Sequence, residues 1–125
     1  EAARLLTCDT QTIQSDRPEA VRQLARTFAA TAVLKGPGSL IATEAEPLYL
    51  CDRGNSGMAS GGMGDLLTGV IAALLAAGST AHQAAASGTW LHSAAADRAA
   101  NAGQTGLIAS DLLPALRQLR DHQID

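Results

Sequence analysis

The residues best suited to chemistry lie in a glycine-rich segment, residues 54–65, which ends in the carboxylate of Asp65. Glycine lets the backbone adopt positive φ and lets a ligand approach the main chain closely. A short apolar run precedes the segment and a helical pattern follows it. A helix N-terminus carries unpaired N–H groups and a partial positive charge. The pattern therefore predicts an anion hole, formed by Gly61, Gly62, Met63 and Gly64.

Asp65 has two interpretations that its position leaves open. A carboxylate in the first turn of a helix is stabilised by the helix dipole whatever the protein does. Alternatively, Asp65 is a general base that takes a proton from a substrate hydroxyl while the anion hole holds a transferring phosphate. The segment lacks both the closing Gly-Lys-Ser/Thr of a Walker A loop and a G-x-G-x-x-G fingerprint, which excludes a P-loop ATPase and a Rossmann dehydrogenase.

A second candidate is Lys35, which follows an apolar run at residues 32–34 and precedes Gly36, Pro37 and Gly38. A lysine at the end of a strand can be no more than a solvated charge. When glycines follow it, the same lysine can meet a phosphate with its charge and with backbone N–H groups together. The glycine-rich context therefore favours nucleotide binding.

A helix is predicted to precede this lysine. Asp16 is its expected cap, Pro18 lies in the first turn, and Glu19 occupies the capping-box position. The buried stripe of this helix is predicted at Val21, Leu24, Ala25 and Phe28.

Three short strands are predicted next, at residues 32–34, 40–43 and 48–51. The helix and the first strand together resemble the αβ half of a parallel α/β unit. A hairpin or tight reversal is expected between the second and third strands.

Three helices complete the predicted order. The first runs from Asp65 and ends at Gly78, and a capping box of Thr80 and Gln83 begins an alanine-rich helix that runs to about residue 102. Ser110 or Asp111 caps the last helix, whose apolar face consists of Leu112, Leu116 and Leu119.

The composition excludes several classes of function. Of the 125 residues, 46% are apolar and 17% charged, with 9 basic against 12 acidic residues. No basic patch suits a nucleic acid, and the apolar content argues against disorder. Residues 66–96 carry no charge, but Gly78-Ser79-Thr80 interrupts them, so two buried helices are expected rather than a membrane span. No charged leader precedes an apolar run, so a cytoplasmic location is expected.

No metal site is expected from the cysteines and histidines. Cys8 and Cys51 form no C-x-x-C pattern, which argues against zinc and against a disulfide framework. His82 and His122 have no partners at metal-ligand spacing and are predicted on the surface, whereas His92 is predicted to pack within a helix.

Residues 57–69 (GMASGGMGDLLTG) resemble the glycine signature of the NAD(P)H-hydrate dehydratases, a branch of the ribokinase-like superfamily. Other segments resemble this family in the same order along the chain. They are the helix at residues 1–6, the Lys-Gly segment at residues 33–42 (VLKGPGSLIA), Trp90-Leu91-His92 with Asp97, and residues 106–112. The resemblance covers nearly the whole chain and implies a ribokinase-like α/β/α fold with three layers.

The resemblance also implies an activity and its site residues. Such enzymes use ADP or ATP with Mg²⁺ to dehydrate hydrated NADH or NADPH, by phosphorylating the hydroxyl group and then expelling phosphate. Asp65 would be the base that touches the hydrated nicotinamide, and Gly64 would contact the nucleotide from the other side. The remaining nucleotide contacts implied are Lys35, Gly36, Pro37, Gly38 and Ser39.

The family pattern differs from this chain at a few positions. Ser39 and Ser60 stand where the family more often has Thr, which keeps a hydroxyl group, and Ser56 stands where Pro is more frequent. Met63 stands where Ser or Thr is more frequent, so a hydroxyl donor is missing from the anion loop.

The family also has an N-terminal half that precedes the segments found here. The uncapped helical pattern at residues 2–6 favours a start inside a domain, so residues 1–125 are expected to be the C-terminal portion of a dehydratase domain. Its expected partner is the missing half or a second copy of the chain. Two alternatives stay open, namely a ribokinase-like kinase of vitamin precursors and a non-catalytic nucleotide-binding fragment.

Overall fold

The computed structural model describes residues 1–122 and divides into two compact units, Glu1–Cys51 and Asp52–Asp125. The first unit contains three helices and three strands. In chain order they are α1 (Ala2–Leu5), α2 (Thr10–Ser15), α3 (Arg17–Phe28), β1 (Ala32–Leu34), β2 (Ser39–Ala42) and β3 (Tyr49–Cys51).

The three strands form one antiparallel sheet in the order β1-β2-β3. Leu34 pairs with Leu40 across the first hairpin, and Ser39 pairs with Cys51 across the second. The predicted reversal between β2 and β3 is confirmed. β1 and β2 also form a hairpin, because residues 35–38 are too few for a parallel crossover. The described residues before α3 contain only helices, so the αβ half of a parallel unit suggested for α3 and β1 stays a prediction.

Helix α3 covers the sheet of the first unit. The carboxylate of Asp16 accepts a hydrogen bond from the Glu19 amide at 3.0 Å, so the predicted cap is confirmed. Val21, Leu24 and Ala25 are buried as predicted. Phe28 is half exposed, so its placement in the stripe was wrong. Phe28 is the last helical residue, and Ala29 then turns the chain away with a left-handed φ of 46°.

The second unit is helical. Its long helices are α4 (Met63–Ala76), α5 (Ala81–Ala99) and α6 (Leu112–His122), with 3-10 turns at Ser56–Met58, Ala100–Ala102 and Ala109–Asp111. Helix α5 packs against both α4 and α6. The Thr80 hydroxyl accepts from the Gln83 amide, and the Gln83 side chain accepts from the Thr80 amide, both at 3.2 Å, which confirms the capping box.

The charge-free run at residues 66–96 forms the packed interface of α4 with α5. Gly88 of α5 is buried there, and a Cβ built on it would lie 2.8 Å from Cγ1 of Ile71. The absence of a side chain at Gly88 thus lets the two helices approach closely. Among residues 1–122, no helix is long and apolar enough to cross a bilayer.

Gly88→Ala should lower the free energy of unfolding by about 1–3 kcal/mol, because overpacking at Ile71 outweighs the better helix propensity of alanine. Gly69→Ala is the matched control. Gly69 lies in α4 with no atom within 4 Å of a built Cβ, so this change should raise stability by about 0.5–1 kcal/mol.

Urea unfolding of both variants measures these effects. The double variant Gly88→Ala/Ile71→Ala should lose less free energy of unfolding than the sum of the losses of the two single variants. Ile71→Ala removes the Cγ1 atom with which the new methyl group at position 88 would clash. Strict additivity of the two changes would contradict the close approach of the helices.

Candidate functional site

The glycine-rich segment is anchored at its start by Asp97 of α5. One carboxylate oxygen of Asp97 accepts from the Gly54 amide and the other from the Asn55 side-chain amide, both at 3.0 Å. The Asn55 side-chain oxygen in turn accepts from the Gly57 amide at 3.0 Å. Gly54 has φ of 114°, which favours glycine at the first anchored residue. The conformation at residues 54–57 therefore depends on a carboxylate about forty residues away in sequence.

A second anchor holds the same segment against the turn that follows α5. The Ser56 hydroxyl donates to the Gln104 side-chain oxygen at 2.8 Å. A Cβ on Gly57 would lie 2.8 Å from the Gln104 backbone oxygen, a contact that a side chain cannot make without moving the main chain. Glycine at position 57 is thus required by a close backbone approach.

Helix α4 begins at Met63, two residues earlier than predicted, so Gly64 and Asp65 both lie in its first turn. Its N-cap residue is Gly62, with φ of 84°, and no side chain caps the helix. A Cβ on Gly61 would have no atom within 4 Å. The first N–H groups of α4 thus have no side-chain acceptor, and the preceding Gly61 borders open space, a combination that suits an anion hole.

The Met63 side chain lies in the apolar core of its unit, with 5% of its surface exposed. The expectation that Met63 removes a hydroxyl donor from the anion loop is therefore corrected. A side chain at this position points into the core because it begins the buried face of α4, so the residue offers the loop only its backbone N–H group.

The Asp65 side chain is exposed on the first turn of α4. Within residues 1–122 its carboxylate makes no hydrogen bond or ion pair. The helix dipole stabilises its negative charge at this position. An exposed carboxylate beside uncapped N–H groups can accept a proton from a hydroxyl group while those N–H groups hold an anion.

The Lys35 loop (residues 35–38) joins β1 to β2 in the first unit. Gly36 has φ of 148° and Gly38 has φ of 68°, values that favour glycine. The Lys35 side chain is exposed. The Ser39 hydroxyl donates to the Gly36 carbonyl at 3.2 Å, which places it at the base of the loop.

Arg17, at the start of α3, holds this loop from the protein side. Its guanidinium donates to the Pro37 carbonyl at 2.7 Å and to the Leu34 carbonyl at 3.3 Å, with a longer contact of 3.5 Å to the Lys35 carbonyl. Sequence reasoning placed Arg17 in a helix start and missed this role, because residues about twenty positions apart carry no pattern that pairs them.

The predicted site residues form two contiguous groups, each within one unit. Residues 35–39 form the loop at the end of β1, and residues 61–65 form the start of α4. Within residues 1–122, no group of three or more histidine, cysteine, aspartate or glutamate side chains could hold a metal ion.

The histidines differ in part from the prediction. His92 is buried in α5 as predicted. His82 is also buried, so its placement on the surface was wrong; it lies on the first turn of α5, next to Ala84 and Ala85, which are buried too. The side chain of His122 lies outside the described part of the chain.

Comparison with known proteins identifies the family to which these loops belong. The family model described as NAD(P)H-hydrate dehydratase matches residues 1–118. The chain belongs to the NAD(P)H-hydrate dehydratase family. The resemblance predicted from the glycine signature is thus confirmed.

Two relatives of the dehydratase family show how much of the protein is matched. A bifunctional NAD(P)H-hydrate repair enzyme of Vibrio cholerae is 52% identical over 120 residues, which are 95% of this chain and 24% of that protein. An ADP-dependent (S)-NAD(P)H-hydrate dehydratase of Neisseria meningitidis is 44% identical over 123 residues, which are 97% of this chain and 42% of that protein. The chain thus spans less than half the length of these relatives.

A solved structure supports the same family fold. The ADP/ATP-dependent NAD(P)H-hydrate dehydratase of Bacillus subtilis, co-crystallised with ATP and Mg²⁺, matches with a TM-score of 0.82 and 29% identity. The match covers 88% of this chain and 40% of that one. The predicted α/β fold class is confirmed.

Asp97→Ala should lower the free energy of unfolding by about 1–3 kcal/mol, because it removes the shared acceptor of the Gly54 and Asn55 amides. Amide hydrogen exchange at Gly54 should accelerate more than exchange in the middle of α4. Asp121→Ala, at an exposed position of α6, is the control and should change stability by no more than about 0.5 kcal/mol. Equal effects of the two changes would contradict the anchor.

Proposed function

We propose that this chain takes part in the ADP- or ATP-dependent dehydration of hydrated NADH or NADPH to the working cofactor. The observation that carries the proposal is the start of α4, where uncapped N–H groups, the open space at Gly61 and the exposed carboxylate of Asp65 occur together. Membership of the dehydratase family and the names of the relatives in Vibrio, Neisseria and Bacillus support the choice of reaction.

The domain assignment is part of the same proposal. We propose that residues 1–125 correspond to the later portion of a dehydratase domain. The match to less than half of each relative supports this assignment. The remaining portion, or a second copy of the chain, would then be its partner. Cys8 and Cys51 form no disulfide in the part of the chain that the structure describes, which is consistent with a reducing cytoplasm.

Residues 35–39 are proposed to contact the adenine nucleotide. Positive φ at Gly36 and Gly38 favours glycine, which gives the loop a main chain without side chains at these two positions, and the exposed Lys35 adds a charge. A loop that offers both backbone N–H groups and an ammonium group suits a polyphosphate. Gly64 is proposed as a further nucleotide contact through its backbone.

The start of α4 is proposed as the place of the chemistry. The nucleotide supplies a phosphoryl group that turns the hydroxyl group of the hydrate into a phosphate leaving group. Asp65 would accept the hydroxyl proton as the oxygen attacks the terminal phosphorus, whose bond to the rest of the nucleotide breaks and releases AMP from ADP or ADP from ATP. Expulsion of phosphate from the phosphorylated hydrate, with loss of a ring proton, would then form the double bond of the working cofactor. The N–H groups at Gly61, Gly62, Met63 and Gly64 would hold the negative charge that is transferred and then released as phosphate.

Magnesium is proposed to bind together with the nucleotide, through its phosphates, rather than at a site formed by protein ligands alone. Mg²⁺ in such sites is bound by one or two carboxylates together with substrate phosphates. The described residues offer no group of three or more histidine, cysteine, aspartate or glutamate side chains, which is consistent with an ion held chiefly by the phosphates of the nucleotide. The ATP and Mg²⁺ of the Bacillus co-crystals support this part of the proposal.

Asp65→Asn should lower turnover at least about 100-fold while the affinity for ADP changes little, because the amide keeps the shape of the side chain and loses the base. Asp121→Asn, on the exposed face of α6, is the control. The assay follows NADH recovery and phosphate release from hydrated NADH, in the complete dehydratase domain.

Near-normal turnover by Asp65→Asn would reject the general-base role. Accumulation of a stable phosphorylated product by the unchanged protein would favour the alternative of a ribokinase-like kinase, because a dehydratase releases phosphate. Calorimetric titration with ADP and Mg²⁺, read together with the turnover assay, tests the alternative of a non-catalytic nucleotide-binding fragment, which would give binding heat without NADH recovery or a phosphorylated product.

Gly61→Ala tests the open space at the anion hole. The new methyl group meets no protein atom, so the stability of the fold should hardly change, while a ligand that approaches the Gly61 backbone is obstructed. ADP affinity measured by calorimetry should fall at least about tenfold. Gly69→Ala, further along α4, adds the same methyl group in open space and should leave affinity unchanged. Equal affinities for the two variants would contradict a ligand at Gly61.

A further inference from the structure

The Lys35 loop presents its carbonyl oxygens to one side chain. Arg17 donates to the carbonyl oxygens of Leu34 and Pro37 and contacts that of Lys35. Arg17 is half-buried, and it is the first residue of α3, whose apolar face packs on the sheet. The guanidinium is therefore held by a helix of the same unit.

The planarity of the peptide bond decides what this contact does to the loop. In a trans peptide, the C=O of one residue and the N–H of the next point in opposite directions. Carbonyls 34, 35 and 37 point toward Arg17, so the N–H groups of Lys35, Gly36 and Gly38 point away from it. Three donors thus face the side opposite the guanidinium.

The peptide between Gly36 and Pro37 differs from these three. The carbonyl of Gly36 belongs to the peptide whose nitrogen is Pro37, which has no N–H group to offer a ligand. This carbonyl accepts from the Ser39 hydroxyl instead of from Arg17. Arg17 therefore contacts the carbonyls of three peptides that carry an N–H group, and Ser39 bonds that of the proline peptide.

The space between Gly36 and the Arg17 guanidinium is also restricted. A Cβ on Gly36 would lie 2.9 Å from Nη2 of Arg17, so glycine at this position is what lets the guanidinium reach the carbonyls. The planar fork of arginine can bond several acceptors at fixed angles, which the point charge of lysine cannot do.

We propose that Arg17 is a positioning residue that orients the peptides of the Lys35 loop so that the N–H groups of Lys35, Gly36 and Gly38 face the phosphates of an adenine nucleotide. This inference rests on the proposed function, because it takes that loop as a nucleotide contact. Arg17 acts through the loop and touches no ligand itself.

The test uses ¹⁵N-labelled chain and two variants, Arg17→Met and Arg17→Lys, with Arg22→Met as the control. Arg22 is an exposed arginine of the same helix, so its loss removes the same charge without a contact to the loop. In the ligand-free protein, Arg17→Met should shift the Gly36 and Gly38 amide resonances and accelerate their hydrogen exchange. Arg22→Met should leave both amides unchanged.

The second part of the experiment adds ADP with Mg²⁺. The Gly36 and Gly38 amide resonances of the unchanged chain should shift when ADP binds. Arg17→Met should weaken ADP affinity about tenfold, and the affinity of Arg17→Lys should lie between those of Arg17→Met and the unchanged chain. The amides of Gly62 and Gly64 in the other unit should still respond at higher ADP concentration. A response limited to thermal stability, with unaltered Gly36 and Gly38 amides and unaltered affinity, would overturn the positioning role.

The two parts separate the inference from the function on which it rests. If ADP leaves Gly36 and Gly38 unchanged in the unmodified chain, the nucleotide role of the loop is rejected, and the proposal for Arg17 is rejected with it. If ADP moves these amides equally in the unmodified chain and in Arg17→Met, nucleotide binding stands and only the positioning role is overturned.

Discussion

The candidate site depends on the orientation of its backbone peptides. In the Lys35 loop, hydrogen bonds from Arg17 to the carbonyl oxygens fix that orientation. A backbone loop can offer N–H groups to an anion only while its carbonyl oxygens are directed elsewhere. Nine basic residues are spread along this chain without a cluster. The proposed binding of a polyphosphate would therefore rely on oriented peptides, which the guanidinium of the half-buried Arg17 contacts through their carbonyls.

The second unit meets the same requirement with different groups. Asp97 is an acceptor and holds the amides of Gly54 and Asn55, which sets the start of the glycine-rich segment. At the other end of the segment, the first N–H groups of α4 point along the helix axis, and no preceding turn supplies carbonyl partners for them. Gly62 is the N-cap residue of α4 and no side chain caps the helix, so these N–H groups stay available. At both loops side chains bond the backbone, and in the proposed function the backbone N–H groups would face the ligand.

The sequence predicted best what is decided locally. The caps at Asp16 and Thr80, the small-residue packing of α4 on α5 and the two glycine loops follow from spacings of a few residues, which a sequence displays directly. Arg17 contacts the Lys35 loop, and Asp97 contacts Gly54, across 17 to 43 positions of sequence. No periodic pattern in the sequence predicts contacts at such separations. These contacts required the structure.

Other differences have equally physical origins. The hairpin between β1 and β2 was not predicted; it follows from the length of the connection, because residues 35–38 are too few for a parallel crossover. Met63 looked like part of the loop because the helix was expected to begin at Asp65. The helix begins at Met63 itself, so its side chain enters the core. The roles of the individual site residues stay predictions from the resemblance.

A crystal structure of this chain with ADP and Mg²⁺ tests the central claim most directly. The account predicts phosphate oxygens at hydrogen-bond distance, about 2.7–3.2 Å, from the backbone nitrogens of Gly36 and Gly38, with the Arg17 guanidinium still on the carbonyl side of the loop. Phosphates held by side chains alone, or an Arg17 guanidinium that leaves the carbonyls to bind the phosphates itself, would contradict it.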